Sequence, residues 1–163
     1  MRYLTAYYTD KGRRKAVNQD SLLVLREKYE KGEAVLAVIC DGMGGLEKGE
    51  VASQAVVRHF SEWFQEIFVQ IKEKEEEDFE DELYESWENL LQAAHRQIRQ
   101  YGKLNGIKIG TTVTAFLLAR GNYYFTHIGD CRLYELTEKI SCLTADQTLA
   151  SLGSMDNRNL TGK

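Results

Sequence analysis

No stretch of about 18 consecutive apolar residues, the length that carries a helix across a bilayer, occurs in the 163-residue sequence, so no membrane association is expected. The start, Met1-Arg2-Tyr3-Leu4-Thr5, passes directly into alternating residues and lacks the apolar segment of a secretory signal, which makes a cytoplasmic location the expectation. Cysteine is scarce. Cys40, Cys131 and Cys142 are odd in number, widely spaced and set in apolar or strand-like surroundings, which fits reduced thiols better than a disulfide framework and matches no zinc pattern. A basic surplus is missing as well: 21 Lys and Arg against 25 Asp and Glu give a formal net charge of -4. A general nucleic-acid binder needs a basic surface to replace phosphate counterions, so nucleic acid is excluded as a partner. Proline is absent, where average usage near 5% would give about eight, and the sequence offers no physical reason for it.

What is present suits a globular chain. The hydrophobic fraction of 43% is enough for a core, and the length is that of one ordinary domain, expected to span 1–163. Residues 2–9 and 21–29 carry β-branched, aromatic and leucine side chains in short runs on either side of the turn-rich stretch Asp10-Lys11-Gly12-Arg13-Arg14, and both read as strands. Residues 34–40 form a continuous apolar run that predicts a strand buried on both faces, stopping abruptly at Asp41-Gly42.

The period then changes. Val51, Ala55, Val56, Phe60, Trp63, Phe64, Ile67 and Ile71 recur at three- and four-residue spacing, as one face of a helix does. Leu83, Trp87, Leu90, Leu91, Ala94, Ile98 and Tyr101 mark a second amphipathic helix ending near Gly102 and Gly106, and the two predict an antiparallel pair. Between them residues 73–82 are almost all acidic; their mutual repulsion predicts a solvated helix end or loop. Residues 111–119 and 123–128 read as strands around the turn Arg120-Gly121-Asn122, and 132–136 and 139–143 continue them as an antiparallel meander. No internal repeat interrupts this order of strands, two helices and strands, which predicts an α+β layered sandwich with helices packed over a sheet.

Asp41-Gly42 beside a strand is first of all a hairpin signal. Yet Gly44-Gly45-Leu46-Glu47-Lys48-Gly49-Glu50 leads into a helix and not a second strand, so the glycines occupy a strand-to-helix loop. A loop of glycines lets backbone and carboxylate oxygens come close to a ligand, and such oxygens are what hard divalent cations bind. Two further carboxylates stand at strand boundaries: Asp20 in Asn18-Gln19-Asp20-Ser21, and Asp130 in Ile128-Gly129-Asp130-Cys131-Arg132. Each alone is an ordinary turn residue.

Taken in order, these segments resemble the metal-dependent serine/threonine protein phosphatases of the 2C type, in particular the bacterial branch. Lys15-Ala16-Val17-Asn18-Gln19-Asp20-Ser21 is similar to the family's first motif, and Cys40-Asp41-Gly42-Met43-Gly44-Gly45 with Gly49-Glu50-Val51-Ala52-Ser53 to its second. Gly110-Thr111-Thr112-Val113, Ile128-Gly129-Asp130-Cys131-Arg132-Leu133-Tyr134 and Leu143-Thr144-Ala145-Asp146-Gln147-Thr148 follow in the family's order.

The resemblance implies the family's α-β-β-α sandwich of antiparallel sheets and two Mg2+ or Mn2+ ions. Asp41 would bridge them, with Gly42 giving a carbonyl ligand, Asp20 standing beside the same ion and Asp130 belonging to an additional, weaker metal site. The Gly-Thr-Thr segment and Asp146 are expected to be scaffold. Lys15 occupies the position of the family's phosphate-gripping arginine, with Arg13 and Arg14 just upstream, and a lysine attracts phosphate as a point charge without arginine's bidentate fork. Gln19 stands where many members carry glutamate.

The implied chemistry is hydrolysis of phosphoserine or phosphothreonine in a protein substrate by a metal-activated water, with no covalent protein intermediate. Cys131 beside Arg132 suggests a thiolate nucleophile, but Leu133-Tyr134-Glu135-Leu136 reads as strand and leaves no phosphate-cradling loop after it. Two later aspartates of the family, in Asp-Gly and Asp-Asn motifs, have no counterpart here, and Asp156-Asn157, with no apolar strand before it, reads as a turn or tail. The expectation is therefore a sandwich lacking its C-terminal strands, whose exposed sheet edge predicts a homo-oligomer. A non-catalytic phosphatase-like binding or regulatory module is the alternative.

Overall fold

The computed structural model describes residues 3–13, 15–30, 32–43 and 48–147. Strands β1 (Asp20–Tyr29) and β2 (Gly32–Met43) form a long antiparallel hairpin in which Asp20 lies opposite Asp41 and Tyr29 opposite Gly32. Strand β3 (Gly110–Thr111) pairs with the end of β2, while β4 (Val113–Ala119) pairs with its middle and β5 (Asn122–Ile128) with β4. The sheet thus runs β1-β2-β4-β5, with β3 beside β2. Arg120 and Gly121, with φ of 57° and 79°, make the two-residue turn between β4 and β5, the positive-φ pair that matches the twist of a hairpin.

Helix α1 (Gly49–Trp63) and helix α3 (Glu76–Asn105) pack on one face of this sheet, with the short helix α2 (Val69–Ile71) between them. They run antiparallel, as expected: His59 meets Gln97 at 2.9 Å and the Trp63 indole N–H donates to Ser86 Oγ at 2.8 Å. The core lies between helices and sheet, where Leu36, Val38, Phe60, Phe68, Phe79, Leu83 and Trp87 are all but inaccessible. Full burial of each such side chain contributes about 1.5–3 kcal/mol relative to exposure.

Several expectations need correction. Residues 3–9 do not form a strand. Side chains take up the backbone of Tyr3, its N–H donating to Glu33 Oε2 (3.0 Å) and its carbonyl accepting from Arg26 Nη2 (2.7 Å), and Leu4 and Tyr8 are exposed. An alternating pattern yields a strand only where a neighbouring ladder accepts it. Strand β2 is not buried on both faces: Ala34, Leu36, Val38 and Cys40 face the helices, but Ile39, on the other face, is 56% exposed.

The first helical stripe slips at a π-helical turn over Phe64–Phe68, whose extra residue brings both phenylalanines inward, stacked at 4.8 Å, and turns Ile67 out. The acidic run is the solvated helix end expected, with α3 starting at Glu76 and only Phe79 of the run fully buried, and the helix closes at Gly106, whose φ of 64° makes a left-handed cap. The meander also breaks, since among the described residues β6 (Tyr134–Leu136) and β7 (Ile140–Cys142) pair only with each other. Among the described residues, then, one helical layer covers the larger sheet and β6–β7 forms a second, two-stranded antiparallel sheet, in keeping with a sandwich that lacks its C-terminal strands. No helix among them is long and apolar enough to cross a membrane.

Candidate metal and phosphate site

The β1–β2 register places two carboxylates face to face. Asp20 enters β1 through a short turn in which its N–H donates to Asn18 Oδ1 at 3.1 Å, and Asp41 lies directly across on β2. Asp41 is half-buried, and its carboxyl is raised above the usual carboxylate range, first by desolvation, then by the Asp20 carboxylate beside it, with Lys15 pulling the other way and Asp130 adding to the rise. Asp20, Asp41, Lys15 and Asp130 thus share one electrostatic neighbourhood, the hairpin supplying the two opposed aspartates and the segments before β1 and after β5 the other two. Among the described residues no three His, Cys, Asp or Glu side chains are spaced to hold a metal ion, so the opposed pair is the nucleus of the site. Arg14, Gly44 and Gly45, as well as Asp156 and Asn157, lie outside the described residues.

The backbone of Asp41 is gripped from one side. Its N–H donates to Thr112 Oγ1 at 2.8 Å, and its carbonyl accepts from the Thr112 N–H and the Thr111 hydroxyl, both at 3.0 Å. The sequence reading of Gly-Thr-Thr as strand-forming scaffold is too weak: these threonines fix the one aspartate most desolvated at the site. Next to Asp41, the Gly42 N–H donates to the Gln19 carbonyl at 3.1 Å. A Cβ on Gly42 would fall 2.3 Å from the Gly49 carbonyl oxygen and 2.4 Å from that of Gln19, so glycine alone lets the start of α1 close on β2.

Ser53 completes the anchorage. Buried in α1, it donates to the Gln19 carbonyl at 2.7 Å, and its oxygen lies 2.9 Å from the Ser21 hydroxyl. Ser53 and Thr112 were visible only as letters within motifs; no periodicity or charge pattern singles them out, because their role is set by which backbone they reach. Asp146 accepts both a 3.0 Å bond from Arg132 Nε and a 2.7 Å bond from Nη2, which suits the scaffold role expected of it.

Cys131 does not suit a nucleophile. Its sulfur lies 3.1 Å from Thr112 Oγ1, and burial, followed by the Asp41, Asp130 and Asp20 charges, pushes the thiol up, away from the thiolate. Burial raises the Cys40 thiol further, to about 12.

The sequence pattern of protein phosphatase 2C matches residues 9–158. The chain belongs to the protein phosphatase 2C family. The serine/threonine phosphatase Stp of Listeria innocua is 30% identical to this 2C-family chain over 149 residues, 88% of the chain and 54% of the Listeria protein. The structure of the serine/threonine phosphatase Stp1 of Staphylococcus aureus superposes with a TM-score of 0.69 at 26% identity, covering 91% of this chain and 57% of that one. The catalytic domain of the serine/threonine phosphatase PstP, solved in complex with two manganese ions, gives a TM-score of 0.67 at 29% identity, over 88% of this chain and 55% of that one. The mixed α/β fold with antiparallel sheets is thus that of bacterial 2C-type phosphatases. The chain spans about half the length of the curated relatives it matches.

Proposed function

We propose that this chain carries one part of the site at which a 2C-type phosphatase hydrolyses phosphoserine and phosphothreonine in proteins, using Mg2+ or Mn2+. The observation that carries the reading is the opposed pair Asp20 and Asp41, in which desolvation and the neighbouring Asp20 and Asp130 charges all disfavour ionised Asp41, against Lys15 alone. Like charges held together at the end of a rigid hairpin fit a divalent cation, whose charge would reverse that balance. The donor set is oxygen only, the two carboxylates and the Gly42 carbonyl, which suits Mg2+ or Mn2+ over softer metals. When bound, the ions supply an acidified water and neutralise charge on the phosphoryl group.

The chain's own residues do the positioning. Asp41 would be the shared ligand, held by Thr111 and Thr112; Asp20 and Gly42 would complete its side of the site, and Asp130 would serve a further, weaker ion. Lys15 and Arg14 would attract the substrate phosphate, Lys15 as a point charge. A phosphorylated protein as substrate and a cytoplasmic setting belong to the same proposal. A second reading, a non-catalytic phosphatase-like binding or regulatory module, is favoured by one observation: among the described residues no third His, Cys, Asp or Glu side chain joins the pair.

Two measurements separate them. Mn2+-dependent hydrolysis of a phosphothreonine peptide that Asp41→Asn abolishes is the expected outcome, and equal turnover in both proteins would sink the catalytic reading. Mn2+ titration by calorimetry should give binding that Asp41→Asn removes; binding without turnover selects the module, and no binding rejects the metal site itself.

A further inference from the structure

Helix α3 buries Phe79, Leu83, Trp87, Leu90 and Ala94 and turns an exposed charged stripe the other way. On the N-terminal side of the exposed Gln92 that stripe is acidic, with Asp81, Glu85 and Glu88; on the C-terminal side it is basic, with Arg96, Arg99 and Lys103. The spacing is symmetrical. Glu88 and Arg96 each lie 4 residues from Gln92, Glu85 and Arg99 each lie 7, and Asp81 and Lys103 each lie 11.

The helix does not need this pattern for itself. Macrodipole complementarity fades within the first and last turns, yet Glu85, Glu88 and Arg96 lie well inside a helix that runs from Glu76 to Asn105. Pairing along the helix would put opposite signs four residues apart, whereas Asp81 and Glu85, like Arg99 and Lys103, are like charges at that spacing and repel. Among the described residues none of Asp81, Glu85, Arg96, Arg99 and Lys103 has an ion pair within the chain, and Glu88 accepts only a 3.2 Å bond from Gln92. A shallow open groove lined by His95, Arg96, Arg99, Gln100 and Lys103 runs along the basic half of the stripe.

We propose that this face of α3 is the contact surface for a second copy of the chain, the two helices lying antiparallel across a two-fold axis at Gln92. That operation sets Glu88 against the partner's Arg96, Glu85 against the partner's Arg99 and Asp81 against the partner's Lys103, each pair occurring twice, as an isologous interface requires. Charge complementarity selects a second copy because the acidic and basic arrays match in number and spacing. Exposed ion pairs are individually weak and screened, so the association is reversible and sensitive to salt. It is independent of the catalytic reading and does not use the sheet edge.

Sedimentation at about 0.01 M and about 1 M salt, where the Debye length is about 30 Å and about 3 Å, tests it. The wild-type chain should dimerise in low salt and dissociate in high salt. The acidic variant Arg96→Glu/Arg99→Glu and the basic variant Glu85→Arg/Glu88→Arg should each be monomeric in low salt, and an equimolar mixture should form a heterodimer. All four positions are exposed, so both variants should keep the wild-type circular dichroism. A wild-type monomer in low salt, a dimer indifferent to either reversal, or a mixture that fails to associate would each overturn the proposal.

Discussion

The two ends of the sheet treat charge in opposite ways. At the end where β1 meets the β1–β2 turn, the Arg120 side chain is only 4% exposed, and its neighbours answer both terminal nitrogens, though not Nε, which has no hydrogen-bond partner among the described residues. It lies 4.2 Å from the centre of the Phe79 ring, pairs with Glu76 at 3.1 Å and donates to the carbonyls of Lys72, at 3.0 Å, and Lys74. Its N–H also donates to the Tyr29 hydroxyl at 2.8 Å, and Glu76 accepts from Tyr124 as well. At the other end, about 30 Å away by the strand rise of ten residues, Asp20 and Asp41 face each other with Lys15 as the balancing cation. One end resembles an ordinary protein interior, where a buried charge is answered by its surroundings. The other holds like charges together, an arrangement that costs stability and is retained where a ligand supplies the missing charge.

Substitutions can break that contrast. The largest loss is expected at the Arg120 end: Phe79→Ala removes the ring that covers Arg120 and contacts Phe68 and Tyr124, and should cost about 3–5 kcal/mol in urea unfolding. Gly42→Ala comes next. Its Cβ meets two backbone oxygens that cannot swing aside, so a cost of about 1–3 kcal/mol is expected together with loss of Mn2+ binding, read by denaturation and calorimetry. Thr112→Val keeps the shape of the side chain but deletes the acceptor for the Asp41 N–H; about 1 kcal/mol should go in denaturation, and Mn2+ should bind more weakly to a chain that still folds.

Asp41→Asn should differ in sign from all of these. It removes the repulsion at the strained end, so the metal-free chain should melt higher while Mn2+ binding disappears; a lower melting temperature would show that the two ends do not differ as described. The smallest effect belongs to the exposed Arg132–Asp146 pair. The Arg132 hydrogen bonds hold the Asp146 carboxyl below its usual range. Its folded value lies below the unfolded one, so the pair's contribution is present above about pH 4 and is lost as pH falls through the folded value. Arg132→Gln should move the Asp146 midpoint upward in a carboxyl NMR titration.

Much of this was legible in the chain. Asp41-Gly42 after an apolar run, the five ordered motifs and the two amphipathic stripes lead to the family and to the antiparallel helix pair. The failures share one cause. Residues 3–9 alternate like a strand but have no ladder to join, and Ile67 yields its place to Phe68 across a π turn. Each depends on what a distant segment offers, which local periodicity does not encode.

The same division holds at the site. The sequence by itself singled out Asp20, Asp41 and Asp130, because each stands at a strand boundary and the ordered motifs around them resemble those of one family. Only the tertiary structure decided that β1 pairs with β2 in the register that opposes Asp20 and Asp41, that Thr112 accepts from the Asp41 backbone across 71 positions, and that Gly42 and Gly49 must both lack a side chain. Those facts rest on hydrogen bonds and close contacts between residues far apart in sequence, and such distances are fixed only when the helices and the sheet bury their apolar faces against one another.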